Sequence, residues 1–187
     1  MSNWTLPRTL ALAGTTLVAV VALAADANID AGRSSLVATF KQEGVPVDTP
    51  FKKFSGNIIY DVAQPAAATA ALDVDMSSLD IGDDAYNAEV RKKAWFDSAT
   101  YKSATFRSTA IKASTAGRFV ATGNLTIKGR VLAISIPVSV QTTAGMTTFS
   151  GSYVLSRKSF GIGDPIWEDV LDDKVTVTFK IVTAAKK

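Results

Sequence analysis

The sequence predicts an all-β fold, either a closed antiparallel barrel of eight strands or a two-sheet sandwich. Three observations predict it. Eight segments alternate apolar and polar residues with a period of two, the mark of strands with one buried and one wet face. Turn signals separate them at Gln64-Pro65, Ala116-Gly117, Lys128-Gly129-Arg130 and Ala144-Gly145. Such short connections favour hairpins and meanders. No repeat and no composition shift divides the chain once a short leader is set aside.

The segments run in order. Ser34–Lys41 places Leu36, Ala38 and Phe40 on one face. Phe54–Asp61 groups Phe54, Ile58 and Tyr60, with Gly56 between. Thr69–Met76 sets Ala70, Leu72, Val74 and Met76 against Ala71, Asp73 and Asp75. In Thr105–Ala113, Phe106 and Ile111 have opposite parity, which predicts a bulge or a shifted register. Phe119–Ile127 and Leu132–Val140 each present five small or apolar residues at every second position. Thr147–Leu155 presents Phe149, Gly151, Tyr153 and Leu155. Lys174–Val182 sets Val175, Val177, Phe179 and Ile181 against lysines and threonines. One stretch breaks the alternation. Residues 82–96 open on Asp83-Asp84 and carry Arg91-Lys92-Lys93 near their end, the charge order that suits a helix dipole. Tyr86 and Val90, like Glu89 and Lys93, are four apart. A short helix is expected there, over one mouth of a barrel or as a plain crossover.

Residues 1–24 read as a cleavable signal peptide. Arg8 precedes an apolar run, and Ala22-Leu23-Ala24 is a small-x-small exit. The run is shorter than the ~20 residues of a membrane span. The expected mature domain is therefore residues 25–187, in the periplasm or secreted.

Composition excludes several chemistries. The 187 residues contain no His and no Cys. That removes disulfides, thiol nucleophiles, Ser-His-Asp triads and His-bearing zinc sites. A net charge of +3 is too small to argue for nucleic acid. Asp83-Asp84, Glu168-Asp169 and Asp172-Asp173 are sequence neighbours. A catalytic carboxylate pair must instead face across a substrate. Neither a G-x-S-x-G nor a Walker loop is present. The inward residues include the small Ala38, Ala70, Ala121 and Gly123. An eight-stranded barrel can be filled by its own side chains or can hold one small ligand, and periodicity alone leaves both open.

Several spaced blocks carry a family resemblance. They are Phe51–Ile58, as F-x-x-F-x-G-x-I, and Ser77–Gly82 followed by Trp95-Phe96-Asp97. Tyr101–Ser108, Gly123–Gly129 and Arg157–Ile162 complete the set. In order and spacing these blocks resemble the YceI family of bacterial lipocalin-like, polyisoprenoid-binding proteins. The resemblance implies an extended eight-stranded antiparallel lipocalin-like barrel with a short helix near the mouth. It also implies a long apolar interior for an isoprenoid chain or other amphiphilic lipid. Gln42 stands where members commonly carry His before a glycine, Lys102 where Pro is common and Ser159 where Asp is common. Gly129 lacks the usual Thr-Lys after it. These departures bear on the polar contacts at the mouth more than on the barrel.

The expected function is a periplasmic binder or carrier of an isoprenoid quinone, a polyprenyl lipid or another amphiphile. It is not an enzyme, and its only expected small-molecule companion is the bound lipid. Scavenging of foreign lipophiles such as antibiotics, or an enzyme acting on a lipid, are the alternatives. A membrane redox protein and a second copy of the chain are the expected protein partners. The candidate ligand-binding residues are Leu36, Ala38, Phe40, Phe54, Ile58, Tyr60, Leu72 and Val74 in the first half. Phe106, Leu125, Ile127, Ile136, Phe149, Tyr153 and Trp167 follow in the second. No metal ligands are expected.

Overall fold

The computed structural model describes residues 25–61 and 64–184. The expected signal peptide, residues 1–24, lies outside the described residues. Among the described residues ten strands form one sheet: β1 Ala25–Asn28, β2 Ser35–Gln42, β3 Val45–Pro50, β4 Phe54–Tyr60, β5 Thr69–Asp75, β6 Ser103–Thr115, β7 Arg118–Ile127, β8 Arg130–Thr143, β9 Met146–Ser156 and β10 Lys174–Ala184. Their spatial order is β1-β4-β5-β6-β7-β8-β9-β10-β2-β3, and each ladder is antiparallel.

The sheet curls round on itself. β1 pairs with β4, and Ile29, one residue past β1, bridges Thr183 of β10. Asp30 N donates to Val182 O at 2.8 Å beside that bridge. Further along, Phe51 N donates to Leu36 O at 2.9 Å and Phe51 bridges Leu79. The lipocalin-like barrel is thus drawn shut by single bridges where a full ladder would complete it.

All eight segments read from the alternation are strands. β1 and β3 are additional, which corrects the count from eight to ten. β1 has four residues, too few to show a period. β3 reads VPVDTP. Its two prolines lack ladder donors and speak against a strand, but β3 is an edge strand, where a missing N–H costs nothing. The irregularity expected in β6 is present. The register against β7 shifts between Ser108 and Ala110, so Phe106 and Ile111 reach the same interior despite their opposite parity.

Gly123 belongs to this bulge. A Cβ there would meet Arg107 O at 2.4 Å and the Phe106 ring at 2.7 Å. Its missing side chain makes room for Phe106. Gly151 does the same under Phe179, at 2.8 Å. Gly123 therefore does not leave space open as Ala38, Ala70 and Ala121 do.

The helix is shorter than residues 82–96. α1 spans Asp84–Val90. Asp83 caps it, its carboxylate accepting from Ala85 N and Tyr86 N at 2.8 and 3.1 Å. Glu89 pairs with Lys92 at 2.5 Å, one residue short of the expected Lys93. α1 and the connection 157–173 lie at the end of the barrel where β7 turns into β8. There Lys128 Nζ donates to Gly161 O at 2.7 Å and Ala94 O at 3.4 Å. Burial pushes the Lys128 ammonium below its ordinary range. The hairpin turns at Ala116-Gly117 and Ala144-Gly145 mark the opposite end.

Two carboxylates pin the connections at the helical end. A hydrogen bond from the Ser77 hydroxyl holds Asp75 below the usual carboxylate range. Burial pushes Asp173 up, but hydrogen bonds from Lys158 N and Ser156 Oγ outweigh it and leave the carboxyl depressed.

Two predictions follow from this packing. Gly123→Ala should destabilise the protein by about 1–3 kcal/mol through overpacking against Phe106, read as a lower urea midpoint. The stability supplied by Asp75 and Asp173 should be complete above about pH 4, the ordinary unfolded value, and lost as pH falls below it. A D75N/D173N variant should be weaker at pH 7, with a flatter midpoint-against-pH curve below pH 4.

Candidate functional site

The curled sheet encloses a cavity of about 360 Å³, a size usual for small-molecule sites. The alternation of each strand decides which side chains reach it. β2 contributes Leu36, Ala38 and Phe40, and β4 contributes Ile58 and Tyr60. Leu72 and Val74 come from β5, Phe106 from β6, Leu125 and Ile127 from β7. Ile136 of β8, Phe149 and Tyr153 of β9, and Trp167 of the connection before β10 complete the expected set. Phe54 is the exception. It is not on the cavity wall, and packs half-buried between the two core clusters around Leu36 and Ile58. The β4 alternation that groups Phe54 with Ile58 and Tyr60 passes through Gly56, which is pressed against Leu72 and Ile29.

The cavity has unlike ends. At the hairpin end, Tyr60 meets Phe119 and Phe149 edge-on, with centroids 5.8 and 5.5 Å apart. Burial, and then the charge of Asp61, raises the Tyr60 phenol above its ordinary range, so it is a neutral hydroxyl at physiological pH. At the helical end the wall includes Gln42, Tyr86 and Asp172, all exposed, with Glu89 half-buried beside them. The exposed wall residues lie at this end, so the cavity opens there.

Arg157 organises the mouth. It is 7% exposed and lies on the cavity wall. Its Nε donates to Asp172 O at 3.0 Å, one terminal nitrogen to Ile162 O at 3.0 Å and the other to Leu171 O at 2.9 Å. These carbonyls bracket the 157–173 connection, so one side chain folds it back over the barrel. Gly163 makes this possible. It has φ 129°, and a Cβ there would lie 2.0 Å from an Arg157 nitrogen. Within the connection, Asp164 caps a 3-10 turn, Pro165–Trp167, by accepting from Ile166 N at 3.1 Å. That turn delivers Trp167 to the wall.

Sequence reasoning placed Gln42 and a short helix at the mouth and Trp167 on the wall, but missed the rest of the mouth. Trp95, Phe96, Ile162 and Leu171 also line the cavity, but come from irregular connections with no period to follow. The Trp95-Phe96 pair was the available signal, two large apolar residues closing a charged segment.

Comparison with known proteins agrees with this geometry. The YceI-like domain family matches residues 28–183. A UPF0312 protein of Shewanella sp. strain W3-18-1 is 31% identical over 159 residues, spanning 78% of this chain and 81% of its own. Among solved structures, Burkholderia cenocepacia BcnA superposes with a TM-score of 0.80 at 37% identity, covering 82% of this chain and 98% of that one. A polyisoprenoid binding domain from Saccharophagus degradans shares the fold with a TM-score of 0.70 at 21% identity, covering 88% of this chain and all of that one.

Replacing Arg157 with Met should leave three carbonyls without their donors, at a cost of about 3 kcal/mol. Hydrogen exchange should report the loss first in residues 157–173, ahead of the strands.

Proposed function

Because the chain belongs to the YceI-like family and folds around an apolar cavity open at one end, we propose that it captures an isoprenoid chain or a similar long lipophile. The observation that carries this reading is the wall itself. Nine strands, β2 to β10, turn apolar side chains into one continuous volume, and the exposed polar residues gather at its mouth. A chain-shaped ligand fits a space that is apolar along its length and wet at one end. The fold shared with the polyisoprenoid binding domain of Saccharophagus degradans supports it.

The driving force is burial of ligand apolar surface. At ~0.8 kcal/mol per CH₂, each five-carbon isoprene unit contributes about 3–4 kcal/mol gross. Part of this is lost to ordering a flexible chain. Ligand length is set by the aromatic floor at Tyr60, Phe119 and Phe149. We read the protein as a binder and not an enzyme, and its work as carriage of the lipid in the periplasm after export by the leader of residues 1–24. The lipid is the only bound group the reading requires.

Native mass spectrometry of freshly purified protein should show a bound lipid mass. Titration of delipidated protein with isoprenoid quinones, polyprenyl phosphates and fatty acids should then identify the preferred class. Absence of both bound mass and binding overturns the proposal. Ala121→Phe, on the cavity wall, should weaken lipid binding at least tenfold while costing about 1–3 kcal/mol of stability. Unchanged affinity in that variant would place the ligand elsewhere.

A further inference from the structure

We propose that the mouth selects an uncharged oxygen-bearing head group over an anionic one; this rests on the capture reading above. Head-group choice depends on what charge the open end offers. Four polar side chains reach the wall there beside Arg157: Gln42, Tyr86, Glu89 and Asp172. Two are carboxylates and two are neutral. The one cation on the wall among the described residues is already engaged, since each guanidinium nitrogen of Arg157 donates to a backbone carbonyl. Those carbonyl dipoles point their negative ends at the charge that would otherwise attract an anion.

Three neighbouring cations are each engaged elsewhere, and Lys41, Arg91 and Lys93 are exposed and off the cavity wall. Lys92 is exposed and paired with Glu89 at 2.5 Å. Lys158 is exposed and paired with Glu168. Lys128 is turned to Ala94 O and Gly161 O and is not on the cavity wall. A phosphate arriving at the mouth therefore meets the Asp172 carboxylate and the Glu89–Lys92 pair, with no free cation on the wall among the described residues to receive it. It also sheds water to approach an apolar chamber. A hydroxyl or quinone carbonyl has neither difficulty. The Gln42 amide and the Tyr86 hydroxyl offer it neutral donors, and the Tyr86 ring offers a flat face.

Tryptophan-fluorescence titration of the delipidated full chain should use three ligands: a polyprenol, the monophosphate of the same polyprenol, and an isoprenoid quinone. The polyprenol and quinone should bind about tenfold more tightly than the phosphate at low salt, as expected for like charges a few ångströms apart at partial exposure. Raising the salt should narrow that ratio in the unaltered protein by screening. The double variant E89Q/D172N should bring it below about threefold. A phosphate that binds as tightly as the polyprenol overturns this inference alone. So does a ratio that neither salt nor the double variant moves. Failure of all three lipids to bind overturns the capture reading, and the inference falls with it.

Discussion

A strand shows each face once in two residues, so a sheet that encloses an apolar space must hold its strands in phase. A slip of one residue anywhere would turn that strand's core face to water and its threonines and lysines inward. The interior of this protein depends on that phase being kept through every neighbouring pair from β4 to β2. β6 shows how it is kept where the sequence breaks step. The extra residue between Ser108 and Ala110 restores Ile111 to the interior. Gly123 opposite gives the bulged backbone and the Phe106 ring the room they need.

An apolar interior in phase still needs an entrance, and the sheet alone does not make one. Strands β9 and β10 are joined by a connection of 17 residues, 157–173, that has no ladder of its own. Its shape comes from Arg157, whose three nitrogens hold carbonyls at both ends of the loop. A buried guanidinium without an ion pair is stable only if such acceptors replace its water. The same hydrogen bonds that fold the loop therefore also spend the cation. Mouth architecture and mouth electrostatics are one fact seen twice.

The opposite end is closed by rings instead of polar ties. Tyr60, Phe119 and Phe149 meet edge-to-face, an arrangement favoured by the charge distribution of aromatic rings. This gives the chamber direction, with a dry floor and a wet rim. A filled core would need no such polarity. That asymmetry, more than volume, separates a binding chamber from an imperfectly packed centre.

Much of this was legible in the residues. Period-two runs such as Thr69–Met76 and Lys174–Val182 fix both the strand and its inward face, because alternation is a local property of the extended chain. The β6 bulge could be read from parity, and every expected wall residue but Phe54 reaches the cavity. Phe54 departs because its partners are decided across the sheet, where Gly56 lets Leu72 and Ile29 crowd in. β3 was hidden by prolines that only an edge position permits. Whether small inward residues left a space also lay beyond the sequence. Ala38 and Ala121 do, while Gly123 yields its room to Phe106. How the mouth is assembled was out of reach for the same reason. Gln42, Trp95 and Arg157 are far apart in the chain, and only the curled sheet brings them to one rim. The sequence by itself determined the strands and their faces, since side-chain direction follows from backbone period. Tertiary structure alone decided what those faces enclose and what guards the opening, since both depend on contacts between segments that no local pattern records.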